Sequence, residues 1–211
     1  MIAKIENFIF SERLLPIKKF VQKFCKSPVT NSAQLIYITG GISTGKTTLL
    51  NTIGTELLLN HPELKINRIE TDALVSHLLR VVSENKGDEF LNHYLKSEIV
   101  LIDNYELLNE KHKTTEVIIN LLRSLIMRNV KIILSSSDTV GFKAISKVVG
   151  NTNLKLIDLD ENTINIDRLV KMKSKLFGLK TRIIRPETND IREIEGIIKK
   201  EKFLQTLALM N

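Results

Sequence analysis

One stretch, YITGGISTGKTTLL (37–50), constrains this chain more than any other. It matches G-x-x-x-x-G-K-[ST] at Gly40, Gly45, Lys46 and Thr47. At average glycine usage such a match arises by chance in under about one in a hundred chains of this length. An apolar strand-like run, LIYIT (35–39), precedes it, and a helical pattern, TTLLNTIGTELLLN (47–60), follows. That order of strand, glycine loop and helix is the context that gives the motif a mechanism. Gly41 and Gly45 are expected to let the backbone curl, so that the N–H groups of Gly41, Ile42, Ser43, Thr44 and Gly45 converge on phosphate oxygens. The helix from Lys46 adds its positive end. Lys46 then reaches the β- and γ-phosphates, the Thr47 hydroxyl ligates Mg²⁺, and Thr48 completes the cradle.

The rest of the chain repeats the alternation. LIYIT, KINRIE (65–70), EIVLID (98–103), VKIILSS (130–136) and LKLIDL (154–159) read as strands. Between them, 3.6-residue periodicity runs from Thr47 to Asn60, from Asp72 to Glu84 and from Thr114 to Arg128. Apolar faces are expected at Ala73, Leu74, His77, Leu78, Val81 and Val82, and at Val117, Ile118, Leu121, Leu122 and Leu125. The pattern predicts an α/β fold with a five-stranded parallel sheet flanked by helices. The run Ile99–Asp103 ends in a carboxylate that a buried strand would carry to the cradle, where it can hold Mg²⁺ through water. Past residue 160 the pattern turns helical and basic. The expected organisation is a nucleotide-binding core over 1–160 and a short helical lid over 161–211.

Composition narrows the classes. The net charge is +7, and Arg168, Lys171, Lys173, Lys175, Lys180, Arg182 and Arg185 follow one another with no acid among them. That stretch permits DNA or an acidic partner without demanding either. Tryptophan is absent and aromatics are 5%, which argues against base-stacking platforms. Neither an apolar signal core nor a membrane-length run is present, and the single cysteine, Cys25, suits a reducing cytoplasm. Cys25 reads as a buried filler, and His77 as a satisfied rim histidine, since no second His or Cys stands at i+3 or i+4.

These residues resemble the AAA+ domain of the bacterial replication initiator DnaA and its shorter regulatory paralogue Hda. The resemblance rests on the phosphate loop with the His-Pro after its helix, on ALVSHLLRVVSENKGDEFLNHYLKSEIVLID as a helical insert leading to Asp103, and on NEKHKTTEVIINLLRSL as the next helix. It rests also on IILSSS as the sensor-1 strand with Ser136, and on NDIREIEG as the lid motif with Arg192. ENFIFSERL is similar to the segment that packs on adenine, which implies Asn7, Phe8 and Ile9 there. The resemblance implies ATP or ADP with Mg²⁺ and an initiator partner, DnaA. A sliding clamp is a further partner the family suggests. Yet no glutamine-leading peptide precedes Phe8, and QTLALM (205–210) reads as a helical face.

Departures from that family matter for chemistry. Asn104 stands where initiators have a second aspartate, and Hda-type chains share the Ile-Asp-Asn. Between Ser137 and Asp160 there is no arginine; Lys143 and Lys147 lack its planar fork. The lid is short, and a DNA-reading domain is not expected after it. An amide at 104 can orient a water but cannot accept its proton. A missing arginine finger costs about 10³–10⁵ in rate. Nucleotide binding with slow or no hydrolysis is therefore expected, with catalytic positions at Asp103, Asn104 and Ser136. Two functions follow: a nucleotide-dependent regulator that docks on the initiator, or a DNA-engaged ATPase such as an assembly factor or helicase loader. For the latter, Leu79, Arg80 and Lys111 loosely match the family's DNA-gripping positions. A degraded relative that binds nucleotide for stability alone is a blander third.

Overall fold

A computed structural model of the chain describes residues 15–108, 112–150, 153–159, 166–179 and 191–208. The expectations for Asn7, Phe8, Ile9, Lys111, Lys180, Arg182 and Arg185 lie outside them.

All five expected strands form: β1 (Leu35–Thr39), β2 (Ile66–Glu70), β3 (Ile99–Asp103), β4 (Lys131–Ser135) and β5 (Leu154–Asp158). They pair in parallel in the order β2-β3-β4-β1-β5. Parallel pairing requires crossovers, and helices supply them. α1 (Leu15–Lys26) precedes β1, and Pro16 sits in its first turn, where a missing N–H costs nothing. α2 (Lys46–Asn60) follows β1, α3 (Thr71–Ser83) and α4 (Gly87–Leu95) follow β2, and α5 (His112–Met127) and α6 (Val140–Val149) flank β4. A 3₁₀ turn, Tyr105–Leu108, follows β3. α7 (Ile166–Leu176) and α8 (Ile191–Ala208) come last.

The central strands are apolar on both sides because both faces are covered. In β1, Leu35 and Tyr37 face the cluster built with α3, α4 and α5, while Ile36 and Ile38 face α1 and α2. β3 splits likewise, with Val100 and Ile102 on the first side and Ile99 and Leu101 on the second. Each fully buried Leu or Ile stabilises the fold by about 1.5–3 kcal/mol. A third apolar cluster, Ile166, Leu169, Val170, Ile194 and Ile198, joins α7 to α8 apart from the sheet.

Three readings are corrected. The buried stripe of α3 is Leu74, Val75, Leu78 and Val81; Val82 is 57% exposed and Ala73 is exposed too. On α5, Val117 is 43% exposed, while Ile118, Leu121, Leu122 and Leu125 are buried. Periodicity sets the spacing of a stripe, but the neighbours that cover it set its phase. α4, α6 and the 3₁₀ turn were not expected as separate elements; each is short, α4 opens on Gly87 and α6 contains Gly141, which weakens a helical signal. Among the described residues, no helix is long and apolar enough to cross a membrane.

Candidate functional site

The glycine loop leaves β1 at Gly40 and enters α2 at Lys46. Its curl is made at Gly40 (φ +148°), Ser43 (φ +61°) and Gly45 (φ +93°). A Cβ on Gly40 would meet the Leu159 carbonyl oxygen at 2.0 Å, so the residue just after β5 crowds the loop. Gly41, expected as one of the two curling glycines, has no positive φ, and a Cβ there would meet only Thr44 Cγ2, at 3.9 Å. The Thr44 hydroxyl donates to the Gly41 carbonyl at 3.0 Å and closes the loop on itself. Lys46 Nζ donates to the carbonyls of Gly40 and Gly41 at 2.9 and 2.7 Å, which keeps an ammonium at the mouth of the loop. Burial lowers the Lys46 pKa; the carboxylates of Glu106 and Asp103 oppose that shift, and Arg192 adds to it. Ser43 Oγ is buried with no hydrogen-bond partner, a polar atom suited to an anion in the loop.

Asp103 closes the site from β3. It is 1% exposed, and three donors converge on its Oδ1: the Thr47 hydroxyl at 3.2 Å, the Asn104 N–H at 3.1 Å and the Ser135 hydroxyl. The Thr71 hydroxyl donates to the Asp103 carbonyl at 2.8 Å. The other carboxylate oxygen, Oδ2, is buried and has no partner. A buried carboxylate oxygen without a donor asks for a cation. With the Thr47 hydroxyl beside it, the pair fits Mg²⁺, which takes one or two protein oxygens and keeps water for the rest.

A cleft of about 380 Å³ runs from the loop to α8. Ile42, Ser43, Gly45, Lys46, Thr47 and Thr48 form its floor, and Asn104, Glu106 and Ser137 one wall. Arg192 and Glu195 of α8 form the other, so the last helix contributes to the same site. Lys173 Nζ of α7 donates to Glu195 at 2.5 Å, tying both end helices to that wall.

Most of the expected site residues therefore meet. Ser136 does not: it is fully buried, its N–H donates to the Ile38 carbonyl, and its hydroxyl accepts the Asp138 N–H at 3.4 Å. Ser137, one residue on, lines the cleft instead, because successive residues leaving a strand point to opposite sides. Asn104 lines the cleft with φ +58°, a left-handed turn that asparagine tolerates well. Ser135, Glu106 and Glu195 went unread in the sequence. Ser135 had a signal, a hydroxyl at the end of an apolar strand. Glu195 stands in the NDIREIEG stretch, one helical turn after Arg192, and Glu106 stands in no motif.

Residues 4–147 match the family described as the bacterial DnaA ATPase domain. The chromosomal replication initiator protein DnaA of Thermus thermophilus is 26% identical over 179 residues, which is 78% of this chain and 40% of that protein. This chain thus spans about two fifths of the curated relative's length. Among solved structures, the replication initiator DnaA bound to AMPPCP and single-stranded DNA superposes with a TM-score of 0.77 at 26% identity, covering 95% of this chain and 64% of that one. AMPPCP-bound DnaA from Aquifex aeolicus gives 0.79 at 25% identity, over 95% and 65%. The five-stranded parallel sheet with its flanking helices is the fold of AAA+ P-loop proteins, and this chain belongs to the bacterial DnaA ATPase-domain family.

Proposed function

We propose that this chain binds an adenine nucleotide with Mg²⁺ and acts as a nucleotide-dependent regulator of replication initiation. It docks on the AAA+ domain of an initiator and hydrolyses its own nucleotide slowly. The observation that carries the reading is the convergence of Lys46, Thr47 and Arg192 on one cleft, with the buried Asp103 bonded to Thr47 and with Oδ2 of Asp103 and Oγ of Ser43 lacking partners. The loop amides and Lys46 hold the phosphates. Thr47 and Asp103 hold Mg²⁺, which when bound neutralises phosphate charge. Gly41, Ile42, Thr44 and Thr48 complete the cradle, and Phe8 and Ile9 meet the base.

Slow turnover follows from two residue facts. Asn104 cannot take a proton, and α6 with its flanks carries Lys143 and Lys147, both exposed, where an arginine finger would be needed. We read residues 1–160 as the core and 161–211 as a lid, supported by the separate apolar cluster between α7 and α8. Arg192 lets bound nucleotide tie lid to core. A switch then needs the nucleotide to favour one lid state over another, since equal affinity for both shifts nothing. The test is capture of the initiator's AAA+ domain by this chain in ATP, in ADP and without nucleotide. Binding that depends on the nucleotide supports the regulator, and equal capture in all three removes the switch. Capture with a sliding clamp is scored in parallel.

A second reading, a DNA-engaged ATPase, has its own observation: Leu79 is 60% exposed beside exposed Arg80 on α3, and a relative is described as bound to single-stranded DNA. It requires salt-steep binding of single-stranded DNA, and a flat titration at low salt rejects it.

A further inference from the structure

We propose that Glu106 supplies the proton-accepting carboxylate that position 104 lacks, so that what hydrolysis the chain performs runs through Glu106. The inference rests on the nucleotide-binding reading above and deepens it.

The placement of Glu106 is imposed by its neighbours. Tyr105 is 1% exposed and lies edge-on to Tyr37, with centroids 6.4 Å apart. Gly141 of α6 makes room for it, since a Cβ there would stand 2.7 Å from Tyr105 Cε1. Leu108 is fully buried, and the Leu107 N–H donates to the Asn104 carbonyl at 3.1 Å. With Tyr105 and Leu108 turned into the core, the half-buried Glu106 lines the cleft. There Oε2 accepts the Ser137 N–H at 3.0 Å. That bond spans the ends of β3 and β4, the two strands whose tips face the phosphate loop.

The other acids are committed elsewhere. Asp103 accepts three donors on Oδ1 and offers Oδ2 to a cation. Glu195 is paired with Lys173. Of the three acidic or amide side chains on the cleft, Asn104, Glu106 and Glu195, Glu106 is the one with a carboxylate not paired to a lysine. In the step, a water oxygen attacks the γ-phosphorus and the bond from that phosphorus to the β–γ bridging oxygen breaks. The water's proton passes to the Glu106 carboxylate and from there to solvent. The products are ADP and inorganic phosphate. This removes one of the two deficits named above. The absent arginine remains, so turnover by the isolated chain stays slow.

The test is single-turnover cleavage of Mg·ATP by excess protein, with the nucleotide Kd measured for each variant. Glu106→Gln keeps an oxygen to accept the Ser137 N–H, so a merely structural role survives it, whereas a base does not. The expected result is a rate at least ~10²-fold lower in E106Q, a Kd within a few-fold of wild type, and a larger residual rate in E106D. E106Q cleaving as fast as wild type, or wild type binding ATP without any cleavage, overturns this inference alone. Wild type failing to bind nucleotide overturns it together with the reading it rests on.

Discussion

The Thr47 hydroxyl lies 3.2 Å from Asp103 Oδ1, across 56 residues of sequence. It ties the first turn of α2 to the tip of β3, two places away from β1 in the sheet. The two side chains of the metal reading are thereby held together before any cation arrives, and one carboxylate oxygen is left over.

Replacing Asp103 separates metal binding from folding. In Asp103→Asn, Mg²⁺ no longer strengthens ADP binding, which calorimetry with and without Mg²⁺ measures. Asp103→Ala leaves buried donors unmatched, at about 1–3 kcal/mol each. Its Tm falls by roughly 3–10 °C.

Lys46 makes binding pH-dependent. Burial holds its pKa below the ordinary lysine value, and a polyphosphate beside it restores the charged form. Binding therefore takes up protons between the lowered and the restored pKa, and affinity falls as pH rises through that interval. Calorimetry in buffers of different ionisation enthalpy reads the uptake. Lys46→Ala abolishes it and weakens binding by roughly 10–150-fold, the equivalent of a lost charge-assisted hydrogen bond.

The loop glycines differ in what they tolerate. Gly40→Ala forces a side chain into φ +148° and against the Leu159 carbonyl, and its Tm without nucleotide falls by roughly 5 °C or more. Gly41→Ala meets nothing closer than 3.9 Å and leaves the Tm within about 2 °C.

Cys25 is inert while the chain is folded. It is fully buried, and burial, with the Glu56 charge adding, pushes its thiol up to about 12. A thiol reagent at pH 8 reacts with it in urea and not in buffer. Fast labelling of native protein would show that α1 leaves the sheet.

Much of this was written locally. The three inner strands are nearly continuous apolar runs, the edge strands β2 and β5 mix apolar with polar residues, and the phosphate loop is a motif whose spacing carries its own geometry, so all were legible residue by residue. Asp103 could be read because an apolar strand ending in a carboxylate means a tip beside the loop. Arg192 was reached only by resemblance. The resemblance points to Ser136, and Ser137 lines the cleft instead, because sequence cannot tell which of two adjacent residues leaving a strand faces it. The α3 stripe was misphased for the same kind of reason: what covers a helix is not encoded in the helix.

By itself, then, the chain's order of residues determined the parallel α/β architecture, the cradle at Gly40–Thr48 and the acid at Asp103, because each depends on interactions a few residues long. Tertiary structure alone decided that Glu106, 31 residues from Ser137, bonds to its N–H, and that Glu195 and Arg192 of the last helix reach the same cleft. Those meetings depend on which strand lies beside which and on where α8 comes to rest, and no short-range pattern of side chains records either.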